Sequence, residues 1–344
     1  MNLRIAGPQR AAALGVALGA IALALAGCAP AVVAARLTGT PAISISVPLS
    51  NVGCTLNDVC VAAGTSSDTV GPSAVGEFRT PKGKWLNLAL PTSPSPLLVA
   101  SACAGTLCLL GGSSPGHDLL WVFDARDHAL SMGTPPEGGI GVDALACSEL
   151  ACALVDTGVH GVLRFTISTD DGATWTVPTV MAWASRDAVT TLSCGTIFDC
   201  AMGVLTPHHR FILYVTADGG VTWSARATPT AWTTLTSLTC EGSRCVALAS
   251  TATSSKLVRT KNFALTWSVR TLAHGANALA CTTTACIVVG QRANDEPWLT
   301  TVSGGVSARA ALRYVPTPLL GVACGSKICA AIGVTTLVSV PLPQ

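Results

Sequence analysis

Hydrophobic and polar positions alternate in short runs along most of the chain, and no apolar pattern at helical spacing follows residue 40. Segments such as Leu145-Ala-Cys147, Cys152-Ala-Leu154, Leu238-Thr-Cys240, Cys245-Val-Ala-Leu248 and Cys286-Ile-Val-Val289 are separated by Gly, Asp, Asn, Ser and Thr. Short apolar runs between turn-forming residues read as strands. Ala42-Ile-Ser-Ile-Ser-Val47 alternates strictly and reads as one more. The exception is the unbroken apolar run Ala11 to Ala26, which follows Arg4 and Arg10. It is shorter than the roughly 20 residues that span a bilayer, and with basic residues ahead of it the segment reads as an export signal.

Fourteen of the 15 cysteines fall into close pairs: Cys54/Cys60, Cys103/Cys108, Cys147/Cys152, Cys194/Cys200, Cys240/Cys245, Cys281/Cys286 and Cys324/Cys329. Successive first members lie 49, 44, 47, 46, 41 and 43 residues apart, a period that fits one four-stranded propeller blade. Where four residues intervene, a two-residue turn leaves the cysteines opposite each other at a non-hydrogen-bonded position. Cα atoms there are about 4.5 Å apart, within disulfide range. The Cys54 and Cys194 pairs hold one residue more, as a three-residue turn with a bulge requires. Paired cysteines also bind zinc, but a structural zinc site gathers four ligands on one ion, whereas these pairs are spread evenly. An exported chain meets an oxidising space, so seven hairpin disulfides are expected, reinforcing the blades more than defining the fold.

A second element recurs between the pairs. Ser168-Thr-Asp170-Asp-Gly172-Ala-Thr174-Trp175 and Thr216-Ala-Asp218-Gly-Gly220-Val-Thr222-Trp223 share one pattern, which Thr260-Lys-Asn262-Phe-Ala264-Leu-Thr266-Trp267 follows more weakly. From the second cysteine to the Trp position the count is 25, 22, 23, 23, 22 and 22 residues in the first six units, which ties both signatures into one repeat. Asp170 and Asp218 are expected to accept backbone N–H bonds in a tight turn. Gly172 and Gly220 supply positive φ there, and Trp175, Trp223 and Trp267 bury apolar area. Each unit then reads as strand A up to the first cysteine, B from the second, C into the turn, and D from the Trp position. The seventh unit offers three strands, Gly321–Cys324, Cys329–Ile332 and Leu337–Val340, while residues 41–48 form a spare strand. The expected fold is all-β, a seven-bladed β-propeller whose N-terminal strand completes the last blade and leaves no open edge.

Leu25-Ala26-Gly27-Cys28 resembles the lipobox of bacterial lipoproteins, which implies cleavage before Cys28 and a diacylglyceryl group on its thiol. The chain divides accordingly into a signal at 1–27, a lipidated tether at 28–40 and the propeller at 41–344. The Asp motif resembles the Asp-box, or bacterial neuraminidase repeat, of sialidases and of many non-catalytic propellers, in which the boxes lie away from the active site. Seven such blades resemble the photosystem assembly factors of cyanobacteria, which bind membrane-protein precursors. The paired cysteines depart from that family and look like secreted propellers of actinobacteria.

The formal charge of +2 comes entirely from Arg4 and Arg10, leaving 18 basic and 18 acidic side chains after the signal. Such neutrality argues against nucleic-acid binding by counterion release and assigns membrane attachment to acyl chains rather than to a polybasic patch. In a propeller the B–C and D–A connections share one face, here the loop face, and the A–B and C–D turns share the other, the turn face. The loop face is expected to carry His117, Trp183, Arg186, His208, His209, Trp232, Arg292 and Tyr314, with types that anchor interfaces among them. Gly64 to Gly76, rich in Ser, Thr and Gly, is expected to be a flexible loop. A metal held by His117 and His208 needs a convergence that spacing does not provide, and no pattern calls for a cofactor. Phe78-Arg79-Thr80-Pro81 resembles the arginine motif of sialidases, yet Arg79 aligns with Arg259 at a repeat turn. That chemistry further needs three arginines and a Tyr activated by Glu; of the two tyrosines, Tyr214 falls on a C strand and Tyr314 in a loop. The expected function is a membrane-anchored extracytoplasmic lipoprotein whose non-catalytic propeller meets a protein partner at the cell envelope. A glycan-directed hydrolase or glycan-binding propeller is the alternative.

Overall fold

Each cysteine pair lies directly opposite across an antiparallel hairpin. The bonds are Cys54–Cys60, Cys103–Cys108, Cys147–Cys152, Cys194–Cys200, Cys240–Cys245, Cys281–Cys286 and Cys324–Cys329, with Cα atoms 3.9–4.1 Å apart. The residue after the first cysteine donates its N–H across the turn, as in Thr55 N to Val59 O (2.8 Å) and Gly325 N to Ile328 O (2.8 Å). The cysteines therefore occupy the intervening, non-hydrogen-bonded position, where side chains approach most closely.

The second cysteines do more than the sequence leads one to expect of a local staple. Cys60, Cys108, Cys200 and Cys329 are fully buried at 0% exposure. Cys108 packs with Val61, Phe78 and Phe123 in the cluster between blades 1 and 2, and Cys200 packs with Phe165 and Met202 between blades 3 and 4. They are core residues and not an accessible site, because strand B is covered on both sides and a half-cystine there is a small apolar filler.

The computed structural model describes residues 43–44, 48–68, 71–90, 96–148, 151–185, 187–229, 231–283, 285–303, 306–310 and 317–342. The expected signal, Cys28 and its tether lie outside these. The described residues form seven four-stranded antiparallel sheets, an all-β seven-bladed propeller, with one short 3-10 turn at Val159–Gly161. Strands A to D run from Asn51–Cys54 to Trp85–Asn87 in blade 1 and from Leu97–Ala104 to Ala129–Met132 in blade 2. They run from Gly139–Ser148 to Thr179–Ser185 in blade 3 and from Ala188–Cys194 to Ser224–Arg226 in blade 4. Blade 5 spans Thr234–Glu241 to Ser268–Thr271, and blade 6 spans Gly275–Cys281 to Val306–Ala310. Blade 7 holds Leu319–Cys324, Ile328–Gly333 and Thr336–Pro341, and Ile43–Ser44 pairs antiparallel to the last of these. The rest of the expected closing strand up to Val47 lies outside the described residues. Gly64 to Gly76 differs from expectation: Cys60–Asp68 and Gly71–Arg79 pair as far as Asp68 with Gly71, because Ser and Thr sit comfortably in a ladder that supplies their backbone bonds.

Buried side chains gather at the boundaries between blades. Leu109, Leu154 and Val142 join blades 2 and 3, Phe165 and Met202 join blades 3 and 4, and Ile332, Leu337 and Cys60 join blades 7 and 1. The repeat turns serve these boundaries. The Asp170 carboxylate accepts from Thr174 N (2.8 Å) and Ser168 Oγ (2.7 Å), and Asp218 repeats the pattern with Thr222 N (2.9 Å) and Thr216 Oγ1 (2.7 Å). Hydrogen bonds from Thr174 and Thr222 hold both carboxyls down at about 2. Trp175, Trp223 and Trp267 pack into the clusters beside their turns. Gly220 has φ +85°, and a Cβ there would lie 2.2 Å from Phe165 Cδ1 of the preceding blade. Arg79 joins the ring too: its Nε donates to Ser339 Oγ (2.9 Å), from blade 1 to blade 7.

Two measurements check this architecture. The intact mature protein, weighed without reductant, is expected to lack fourteen hydrogens relative to the reduced chain. Gly220→Ala is expected to cost about 2 kcal/mol or more in urea unfolding, from strain and overpacking together. Gly105→Ala, at φ +53° with nothing within 4 Å of the new Cβ, is expected to cost only about 1 kcal/mol.

Candidate functional site

The loop face takes its shape from bulges in the innermost strands. From blade 2 to blade 7 the A–B register skips the residue four before the first cysteine: Val99, Asp143, Thr190, Thr236, Asn277 and Leu320. A bulge bends its strand and re-aims the extra side chain. Asn277 turns its Nδ2 to Leu319 O of the next blade (2.8 Å), and Ser237, beside Thr236, donates to Leu279 O (2.9 Å). Apolar positions are left at the mouth: Leu97 is 50% exposed, Val99 39%, Ile140 40% and Leu320 42%. These four escaped sequence reasoning because they look like ordinary strand residues.

Of the expected face residues, His117, His208, His209 and Arg292 are exposed at the B–C turns of blades 2, 4 and 6. They stand on non-adjacent blades and are not brought together. Arg292 pairs with Glu296 (3.1 Å). Trp232 departs from expectation. It is 7% exposed, packed between blades 4 and 5 edge-on to Trp267 with ring centroids 5.3 Å apart. A turn closed by Trp232 N to Pro229 O (3.0 Å) accompanies this inward placement, so Trp232 is a core residue and not an anchor for a partner. Trp183 belongs to strand Thr179–Ser185 rather than to a loop, and Arg186 and Tyr314 lie outside the described residues. Tyr214 packs half-buried against the cluster between blades 3 and 4. Among the described residues no group of His, Cys, Asp and Glu is arranged to hold a metal ion.

Two features on this face break the repeat. Between blades 5 and 6 lies a cleft of about 420 Å³ lined by Thr251, Ser254, His274, Gln291 and Arg292 among others. Its wall is braced by Trp298, whose Nε1 donates to Gly275 O (2.7 Å) and Gln291 O (3.1 Å). Between blades 2 and 3, Asp118 and Asp156 adjoin Arg164, and Asp143 adjoins both aspartates. Arg164 forks onto Asp156 with Nε–Oδ1 and Nη2–Oδ2 both 2.6 Å, and its Nη1 donates to Glu137 O (2.7 Å). Thr157 Oγ1 donates to Asp143 (2.7 Å). Asp118 is 8% exposed, and its carboxyl oxygens have no donor among the described residues. Burial first, and the adjoining Asp156 second, push the Asp118 carboxyl up to about 7 against the pull of Arg164. Two buried carboxyls in contact cannot both ionise cheaply, so Asp118 holds a proton over a pH range where an exposed aspartate does not.

The disulfides agree with an oxidising, extracytoplasmic setting, where such bonds persist, and no helix of the described residues is long and apolar enough to cross a membrane. No protein-family profile and no curated protein matches the chain. Among solved structures it is similar to YCF48 bound to D1 peptide, at 12% identity and TM-score 0.63 over 90% of this chain and 97% of that one. It is similar to virginiamycin B lyase from Staphylococcus aureus at 8% identity and TM-score 0.62, over 88% of this chain and 98% of that one. A chain of the mitotic checkpoint complex shares the fold at 10% identity and TM-score 0.65 over the whole length of both. Identities this low establish the fold alone, on which function varies widely, and the neighbours include binding scaffolds and a lyase.

The Asp118 pair sets a pH dependence. Its native pKa of about 7 lies above the ordinary 3.8, so the native state holds the extra proton and stability falls as pH rises through that window. Urea midpoints measured from pH 4 to 8 are expected to fall in the wild type. Asp118→Asn, which keeps a neutral group beside Asp156, is expected to remove most of that fall; an unchanged slope places the titration elsewhere.

Proposed function

We propose that the chain is a lipoprotein anchored through Cys28 on the extracytoplasmic side of the membrane, where its non-catalytic propeller docks a protein partner on the loop face. The observation that carries this reading is the apolar mouth of Leu97, Val99, Ile140 and Leu320. These aliphatics stand exposed on the innermost strands of blades 2, 3 and 7; exposed apolar surface is how interaction sites present themselves, and a propeller supplies it on a rigid frame that loses little entropy on binding. The peptide held by YCF48 in its solved structure is consistent with a ring of this kind serving as a docking or assembly module. The lipobox, the Asp-box reading of the repeat turns and closure of blade 7 by residues 41–48 belong to the same proposal. The second reading, a glycan-binding surface, is favoured by the cleft between blades 5 and 6. Its hydroxyls, His274 and Arg292 suit sugar or carboxylate oxygens, and no carboxylate lines it, whereas glycoside hydrolysis uses a pair of them.

Leu97→Asp and Ile140→Asp, both at exposed positions, are expected to leave the fold intact and to abolish recovery of the partner when the chain is cross-linked in the envelope and purified. Recovery unchanged by both ends the docking reading. Cys28→Ser is expected to release the protein from the membrane fraction and to stop incorporation of labelled palmitate; retention of the label places the acyl chain elsewhere.

A further inference from the structure

Charge on the turn face is sorted by blade. Blades 2, 3 and 4 present Asp127, Asp170, Asp171, Asp199 and Asp218 at their A–B and C–D turns, against Arg126, which is bound by Asp124 (2.6 Å). On the arc from blade 5 round to blade 1, blades 5, 7 and 1 present Lys82, Lys84, Arg244, Lys261 and Lys327, all exposed, and blade 6 has no charged residue at its turns. Among the described residues none of these five is in an ion pair. The arc holds two acids at its turns. Asp58 is half-buried, and its carboxylate accepts Lys327 N (2.8 Å), Ile328 N (3.3 Å) and Ser326 Oγ (3.3 Å) across the boundary between blades 1 and 7. Glu241 is exposed beside Arg244.

Apolar side chains stand among these cations. Leu56, in the A–B turn of blade 1, is 59% exposed, and Leu265, in the C–D turn of blade 5, is 64% exposed. From these two observations we infer that the turn-face arc of blades 5 to 1 lies against an anionic lipid surface. The inference rests on the anchored reading above for its biological setting, while the charge sorting and the exposed leucines stand without it. Basic side chains meet the negative surface potential within a Debye length of about 10 Å, the leucines reach the headgroup layer, and the acidic arc is tilted away. The loop face then points from the membrane towards a partner.

The test uses the full mature chain carrying Cys28→Ser, so that neither an acyl group nor a partner contributes. It is expected to co-sediment with vesicles of phosphatidylcholine containing about 30% phosphatidylglycerol, not with phosphatidylcholine alone, and to be released by about 0.5 M salt. The combined variant Lys82→Glu, Lys84→Glu, Lys261→Glu is expected to lower the partition at least about tenfold, with an unchanged circular dichroism spectrum. Replacement of the same lysines by Gln gives the same direction of change should the charge reversal disturb folding. Equal binding to both vesicles, or partition unaffected by the substitutions, overturns the inference. So does concentration-dependent self-association that the substitutions abolish while vesicles capture nothing, since the basic arc then meets the acidic arc of a second copy. Loss of vesicle binding with partner recovery intact leaves the docking reading standing, and the reverse result leaves this one.

Discussion

A disulfide between neighbouring antiparallel strands forms only where two side chains face each other at a non-hydrogen-bonded position, and in this ring that requirement recurs at every A–B hairpin. A slip of one residue would turn each inward side chain to the wrong face, so the cross-link and the core pattern demand the same register. Cys108 and Cys200 embody both demands at once, bonded to strand A and packed into the neighbouring boundary. Four residues before each bond from blade 2 onwards, the ladder breaks at a bulge. The bulge adds local twist and frees one residue per inner strand to face the mouth or the next blade. The cross-link holds one end of the hairpin while the bulge shapes the other, which is why the turn face is regular and the loop face is not.

The parts of the structure legible in the sequence are those that repeat. Cysteine spacing carried the hairpins, the Asp turns carried the C–D corners, and their constant separation carried the blade. Single features misled where local composition competed with a tertiary partner. Gly64 to Gly76 looks like a loop, yet each strand satisfies the other's backbone. Trp232 looks like an anchor because it sits in a D–A connection, yet its neighbour Trp267 draws it into the boundary between blades 4 and 5. Arg79, whose sialidase-like motif the alignment with Arg259 already set aside, holds blade 1 to blade 7. The Asp118 cluster was invisible for a different reason: its members come from strands A, B and C of two blades and meet only when those blades pack.

Net charge is a poor guide to surface electrostatics in a ring. Equal numbers of acids and bases outside the signal cancel in the sum and not in space. Blades 2 and 3, residues 97–185, hold nine acids and two bases, while blades 5 and 6, residues 234–310, hold seven bases and three acids. In a seven-membered ring these pairs stand nearly opposite. The expectation that neutrality leaves attachment to acyl chains alone treats the surface as uniform. A dipolar body near a charged plane is oriented even when its net charge is zero, because attraction and repulsion act at different distances and screening weakens the farther one more.

Departures from a repeat mark positions that the fold alone does not dictate. Four residues after the second cysteine, blades 1, 2, 6 and 7 carry Gly64, Gly112, Gly290 and Gly333, and a Cβ at each would lie 2.0–2.7 Å from a backbone oxygen of the segment entering strand A. Small size is the structural demand at that position. Blade 3 places Asp156 there, fully buried, and its A–B ladder has a second register break at Ile140 that the other blades lack. A buried carboxylate needs charged and hydrogen-bonding partners to be tolerated, and Arg164 supplies them from the next strand. Replacing this group with the glycine of its sister blades would satisfy the fold at lower cost. The costly arrangement stands beneath the mouth, touching Asp118 on one side and Glu137 on the other, and so ties the boundary of blades 2 and 3 to the face that carries Ile140 and Val99.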